Sequence, residues 1–92
     1  MVPVFRDNPD QNRFELSIPG GALAVAYYRL DGSVLVLTHT EVPFEYAGLG
    51  YGTKLADGVF AVLSGRGQKV APRCAFMAAY AAKHDEYRHL VC

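Results

Sequence analysis

Cysteine is scarce in this 92-residue chain: Cys74 and Cys92 are the whole complement. An extracellular disulfide scaffold of this size would carry four or more, so bridges are excluded as the organising principle. Long apolar runs are missing as well. The stretch from Ala22 to Tyr28 falls far short of the roughly 20 residues a membrane helix needs. Neither sign of charge is in surplus, with nine Lys and Arg against nine Asp and Glu. That balance argues against a dedicated nucleic-acid binder, whose affinity rests on a basic surface that displaces counterions. The opening Met1-Val2-Pro3-Val4-Phe5-Arg6 lacks the basic start and apolar run of a signal peptide. A reducing, cytoplasmic setting without a membrane partner is the expectation. His39, Cys74, His84 and His89 show no paired ligand spacing, so no metal site is expected. Repeats and low-complexity segments do not occur.

What is present describes one small globular domain over residues 1–92. Half the residues are apolar (51%) and a fifth charged (20%), and two separate cores would each be too small to hold together. Arg6 to Asn12 is polar and turn-prone and reads as an irregular segment. Arg13 to Ile18 alternates polar and apolar residues, as a half-buried strand does. Ala22–Leu30 and the β-branched run Val34–Thr40 flank Asp31-Gly32, a strong hairpin signal. After Pro43 the period changes. Leu55, Val59, Val62 and Leu63 recur at helical spacing, which predicts a helix from about Gly50 to Leu63 ended by Ser64-Gly65-Arg66-Gly67. A short strand over Gln68–Ala71, a second helix over Ala75–Lys83 and a final turn over 85–90 complete the chain. The order is β-β-β-α-β-α. The last strand returns through a helical crossover to lie parallel to the third, so the predicted fold is α+β with one parallel pair in a mostly antiparallel sheet.

The strand-to-helix passage carries the chemistry. Gly48, Gly50 and Gly52 fall between an apolar strand and an amphipathic helix. Glycines there let the backbone approach an anion, and the free amides and dipole of the first helical turn favour negative charge. The competing motifs fail. A dinucleotide fingerprint would need glycine where Thr53 or Leu55 stands, and a P-loop needs Gly-Lys where Gly52-Thr53-Lys54 runs. No separated Gly-x-x-Gly clamp of an RNA-binding KH domain appears. A glycine-rich turn without a ligand remains the plain alternative.

The segment Ala47-Gly48-Leu49-Gly50-Tyr51-Gly52 resembles the coenzyme A loop of the GNAT acetyltransferase superfamily: Arg or Gln, two free positions, Gly, a free position, then Gly or Ala. Leu37 to Pro43 before it and Pro72-Arg73-Cys74-Ala75-Phe76 after it look like the small stand-alone GNAT-like family, whose members lack the superfamily's N-terminal helices. The likeness runs from Asn12 through the His84–Tyr87 region. Ala47 departs from it, standing where many members carry Arg, Gln or another polar residue. The resemblance implies acetyl-CoA as co-substrate, its pyrophosphate held by Ala47, Gly48, Leu49, Gly50, Tyr51, Gly52 and Thr53. It also implies a pantetheine arm paired along Thr40, Glu41 and Val42, between strands that splay to admit it. The acyl thioester would end near His39, Cys74 and Tyr80.

Three residues are candidates for the transfer step. Histidine is the residue type most used for proton transfer at physiological pH, so His39 can take the proton of an attacking amine, or it is simply a hydrogen-bonded strand histidine. Tyr80 can protonate the departing thiolate, or pack as an aromatic on the sheet. Cys74 opens the second helix, where a thiol can act as a nucleophile; the bland reading is a small interior hydrophobe. The expected activity is acetyl-CoA-dependent N-acetylation of a primary amine, on a protein lysine or a small molecule. The alternative is a non-catalytic module that binds coenzyme A. Monomer and homodimer fit equally well.

Overall fold

Residues 2–92 are described by a computed structural model. Strand β3 (Ala22–Asp31) and strand β4 (Val34–Glu41) meet in the anticipated hairpin, with Asp31 paired to Val34. Strand β2 (Arg13–Ile18) lies antiparallel on the other side of β3. Helix α1 (Tyr51–Arg66) then crosses over the sheet to strand β5 (Lys69–Pro72), which pairs parallel to β4. Helix α2 (Ala75–Lys83) and a 3-10 turn over Asp85–Leu90 follow. The five strands are ordered β1-β2-β3-β4-β5. The architecture is α+β with a mixed sheet, as the sequence predicts.

Two expectations need correcting. Arg6 to Asn12 is not irregular: Phe5–Asn8 forms strand β1, antiparallel to β2, and Pro9–Gln11 makes a 3-10 turn. The order is therefore β-β-β-β-α-β-α. Each polar residue of β1 finds a partner remote in the chain. Arg6 and Asn8 donate to Glu15 at 2.8 and 2.9 Å, while Asp7 accepts from Tyr28 Oη at 2.7 Å and from Arg66 at 2.8 Å. Phe5 stacks on Phe14 with ring centroids 5.7 Å apart. The second correction is to α1, which runs past Leu63 to Arg66 and stops at Gly67, whose N–H reaches the carbonyls of Leu63 and Ser64. The extra turn is what brings Arg66 to Asp7.

One core unites the sheet with both helices. Phe14, Leu16, Ile18, Ala24, Ala26, Tyr28, Leu35 and Leu37 point from the sheet toward Leu55, Val59, Phe60 and Leu63 of α1 and Met77 and Tyr80 of α2. The period-2 alternation of β2 and the 3.6-residue stripe of α1 produce these matched faces. Alternation sends Arg13, Glu15, Tyr27 and His39 to the opposite face, against which neither helix packs its buried residues. That face is where Arg13 lies over the Tyr27 ring, 5.7 Å from its centroid, and Tyr27 stacks with His39 at 6.3 Å. A glycine inside α1 also has a packing reason. A Cβ on Gly58 would come within 2.5 Å of Phe5 Cδ1, so only glycine lets the β1 aromatic lie against the helix.

Candidate coenzyme site

The parallel β4–β5 ladder is short, running from Val34↔Lys69 to Leu37↔Pro72. At its end the amides of Arg73 and Cys74 both reach the Leu37 carbonyl, at 2.9 and 3.2 Å. Beyond this point β5 gives way to α2 while β4 continues to Glu41, so Thr38 to Glu41 keep an edge with no β5 partner. The register between β3 and β4 slips here too: Tyr28 faces Leu37 and Tyr27 faces His39, leaving Thr38 as the extra residue of a bulge. Its hydroxyl donates to the Tyr27 carbonyl at 3.2 Å. Bulges bend a strand and end pairing, which is how this fork arises.

Above the fork the chain turns through a 3-10 segment, Phe44–Tyr46, and into the glycine loop. Gly48 and Gly50 take φ of +79° and +87°, left-handed values that side-chain-bearing residues rarely adopt, and a Cβ at either would meet nothing within 4 Å. Helix α1 starts immediately after, its first bond running from Lys54 N to Gly50 O at 3.0 Å. No side chain caps this end and its first turn carries no acidic residue. The leading amides of a helix have no intrahelical acceptor, so those following Gly50 are free for an anion. Gly52 packs closely on the Phe76 ring: a Cβ there would stand 2.9 Å from Phe76 Cζ, so a side chain would push the ring aside. Val42, Tyr46, Ala47, Tyr51, Thr53 and Phe76 join the glycines around a hollow of about 280 Å³. Tyr46 and Tyr51 brace it edge to face, with centroids 6.0 Å apart. Leu49, between Gly48 and Gly50, is exposed and does not line the hollow.

The three catalytic candidates occupy different surroundings. Cys74 is the N-cap residue of α2 and is partly buried, its Sγ 3.3 Å from Thr40 Oγ1 across the fork. Thr40 pairs with Ala26 and so belongs to the helix side of the sheet. His39 belongs to the opposite face, exposed, with Nε2 3.0 Å from Glu41 Oε2. A carboxylate can only accept, so Nε2 carries the hydrogen and Nδ1 keeps a lone pair. Tyr80 is buried between the helices, stacked on Phe60 at 5.2 Å, and its hydroxyl donates to Asp57 Oδ1 at 2.5 Å. Burial first, then that hydrogen bond, hold the phenol above its ordinary pKa, so it is a firmly protonated donor and a reluctant acid. Cys74 and Thr40 are thus brought together, and His39 with Glu41. No hydrogen bond joins His39, Cys74 and Tyr80 to one another among the described residues.

Sequence reasoning missed Thr38, Asp57 and Phe76. A bulge leaves no mark in β-branched composition. Asp57 shows no pattern that distinguishes it from any exposed helix residue, and Phe76 reads as core on an apolar helix yet is 43% exposed beside the glycine loop. Among the described residues no group of three or more His, Cys, Asp or Glu could hold a metal ion. No helix among them is long and apolar enough to cross a membrane.

Comparison with known proteins bears on this arrangement. The family model described as "GCN5-related N-acetyl-transferase" matches residues 13–90. No curated protein matches the chain. Among solved structures, the solution structure of a "GCN5-like putative N-acetyltransferase" from Staphylococcus aureus superposes with a TM-score of 0.72 at 26% identity, covering 97% of this chain and 87% of that one.

Proposed function

Because the chain belongs to the GCN5-related N-acetyl-transferase family, we propose that it transfers an acetyl group from acetyl-coenzyme A to a primary amine. The observation that carries this reading is the uncapped, acid-free start of α1 behind Gly48 and Gly50, standing directly above the open edge of β4. A diphosphate fits the first feature by charge and by free amides. An amide-bearing pantetheine arm fits the second, pairing with Thr40 to Val42 as an added strand would. The residues present suit the ligand even without a polar side chain at Ala47, since the donors are backbone groups.

In this reading the thioester lies in the fork, with Cys74 and Thr40 on its helix side and His39 on its open side. The amine arrives from the open face. Its nitrogen lone pair forms the C–N bond as the C–S bond breaks, and the sulfur departs with the bonding pair. His39 Nδ1 takes the amine's proton, with Glu41 fixing the ring and steadying the charge it acquires. Cys74 either delivers a proton to the departing sulfur or, as thiolate, takes the acetyl group first and passes it on. Tyr80 is the least suited of the three, because its hydroxyl is already spent on Asp57.

Calorimetric titration of acetyl-CoA into the protein and into Gly50→Asp tests the coenzyme site. The space around Gly50 is open and aspartate tolerates left-handed backbone better than most residues, so the variant should fold while its carboxylate repels the diphosphate. Saturable binding weakened at least about tenfold by the variant is expected. Absence of binding by the unmodified protein, or indifference to the substitution, would sink the proposal.

One observation favours a second reading, a module that binds coenzyme A without turnover: the three candidate catalytic side chains are separately engaged and lie on both faces of the sheet. Thiol release measured over a panel of amines separates the two. Release that disappears in His39→Ala or Cys74→Ala, with acetyl-CoA binding retained, belongs to the enzyme. Binding without release from any amine belongs to the module.

A further inference from the structure

The face of the sheet turned away from the helices carries more than His39 and Glu41. Strand register sets its side chains out in rows: Arg29 of β3, Val36 of β4 and Ala71 of β5 make one row, and Tyr27 and His39 make the next. Val36 is 3% exposed and Ala71 6%, although neither belongs to the core under the helices. Side chains of this same face therefore cover them. Arg29, directly across from Val36, is long enough to lay its stem over the valine and keep its guanidinium in water. Arg73 stands on the β5 side of the same area. Pro72 before it borders a hollow against α2 and Cys74 after it packs on the core, so the extended chain turns Arg73 to the opposite face. Both arginines are exposed, and neither forms an ion pair among the described residues. The other charges of this face are placed elsewhere. Glu15 is held by Arg6 and Arg13, and Glu41 by His39. Asp31 and Lys69 flank Val34 one row nearer the hairpin, where Lys69 donates to the His89 carbonyl.

We infer that the acceptor is a small amine that also carries a carboxylate or a phosphate, which Arg29 and Arg73 receive while the nitrogen meets His39. The inference rests on the acetyl-transfer reading and names the class of acceptor within it. Tyr27 stands opposite His39 and Arg29 is the next residue but one along β3, so Arg29 and His39 are diagonal neighbours about 7–8 Å apart. A molecule whose anion lies a few bonds from its nitrogen spans that gap. The guanidinium fork matches carboxylate and phosphate oxygens alike. The two cations also repel an ammonium, which disfavours a purely cationic acceptor and eases loss of the proton from a bound one. An acceptor bringing its own anion is drawn to the site that a polyamine avoids.

The test measures thiol release from acetyl-CoA with ethanolamine, β-alanine, phosphoethanolamine and a lysine peptide free of acidic residues. It uses the full chain, Arg29→Gln, Arg73→Gln and the double variant, with circular dichroism to show that the exposed substitutions leave the fold intact. In the unmodified protein kcat/KM should be about tenfold higher for an anionic acceptor than for ethanolamine, and the preference should shrink as salt is raised. It should fall to about threefold in either single variant and vanish in the double one. Whether β-alanine or phosphoethanolamine carries the larger preference tells a carboxylate site from a phosphate site. Equal kcat/KM for charged and neutral amines, a lead for the lysine peptide, or an undiminished preference in the double variant overturns the inference and leaves acetyl transfer standing. Acetyl-CoA binding without release to any amine removes the acetyl-transfer reading itself, and this inference with it.

Discussion

Protonating Glu15 should cost the fold a measurable part of its stability, and the loss should follow acid in a defined window. Glu15 is 4% exposed, yet it lies on the face of the sheet that carries no helix. Its cover consists of Arg6 at 2.8 Å, Asn8 at 2.9 Å and Arg13 at 2.6 Å. The Arg6 hydrogen bond, then that of Asn8 and, against the cost of burial, that of Arg13 hold the carboxyl at about 2 rather than 4.5. At about 1.4 kcal/mol for each pH unit, that depression caps the contribution at about 3.4 kcal/mol. The Arg6 side chain is 64% exposed, so solvent screens its share and about 1.5–2 kcal/mol is expected. A depressed carboxyl stabilises fully above its unfolded pKa and loses that contribution as pH falls toward its folded one. The window is therefore pH 4.5 down to about 2. Urea unfolding of the protein and of Glu15→Gln, repeated at several pH values from 7 to 2.5, measures it. The gap between the two should be widest at pH 7, narrow below about 4.5 and nearly close at the acid end. A gap that stays constant across the series, or none at pH 7, would refute the reasoning.

Gly58→Ala should destabilise even though alanine is the better helix former. The helical gain of about 1 kcal/mol is outweighed by overpacking against Phe5, for a net loss near 1 kcal/mol on denaturant unfolding. A stabilised variant would mean that Phe5 moves aside freely. Tyr80→Phe keeps the ring stacked between Phe60 and His84 and deletes only the hydroxyl. Because Asp57 is exposed and rehydrates, the loss should be about 1 kcal/mol, with kcat changed by no more than about threefold. A fall in kcat of about a hundredfold without a stability change would instead make Tyr80 the acid that protonates the thiolate.

Much of this protein is legible in its sequence because the responsible signals are local. Asp31-Gly32 turns the chain by its own backbone preference, and the alternation of Arg13 to Ile18 assigns each side chain to a face wherever that strand lies. The stripe Leu55, Val59, Leu63 and the glycines before it place a helix and an anion-accepting turn with no knowledge of the rest. The parallel return of β5 follows from the helix between it and β4, which carries the chain back to the end of the sheet where β4 began. Only the tertiary structure decided what depends on partners distant in the chain. Asp7 became part of a strand because Tyr28 and Arg66 complete its hydrogen bonds, 21 and 59 residues away. The fork opened at Thr38 because two strands slipped register, and the Tyr80 hydroxyl was directed to Asp57 because α2 came to rest beside α1. Conformational preference is carried by each short segment, whereas the neighbours of a side chain exist only once the whole chain has packed.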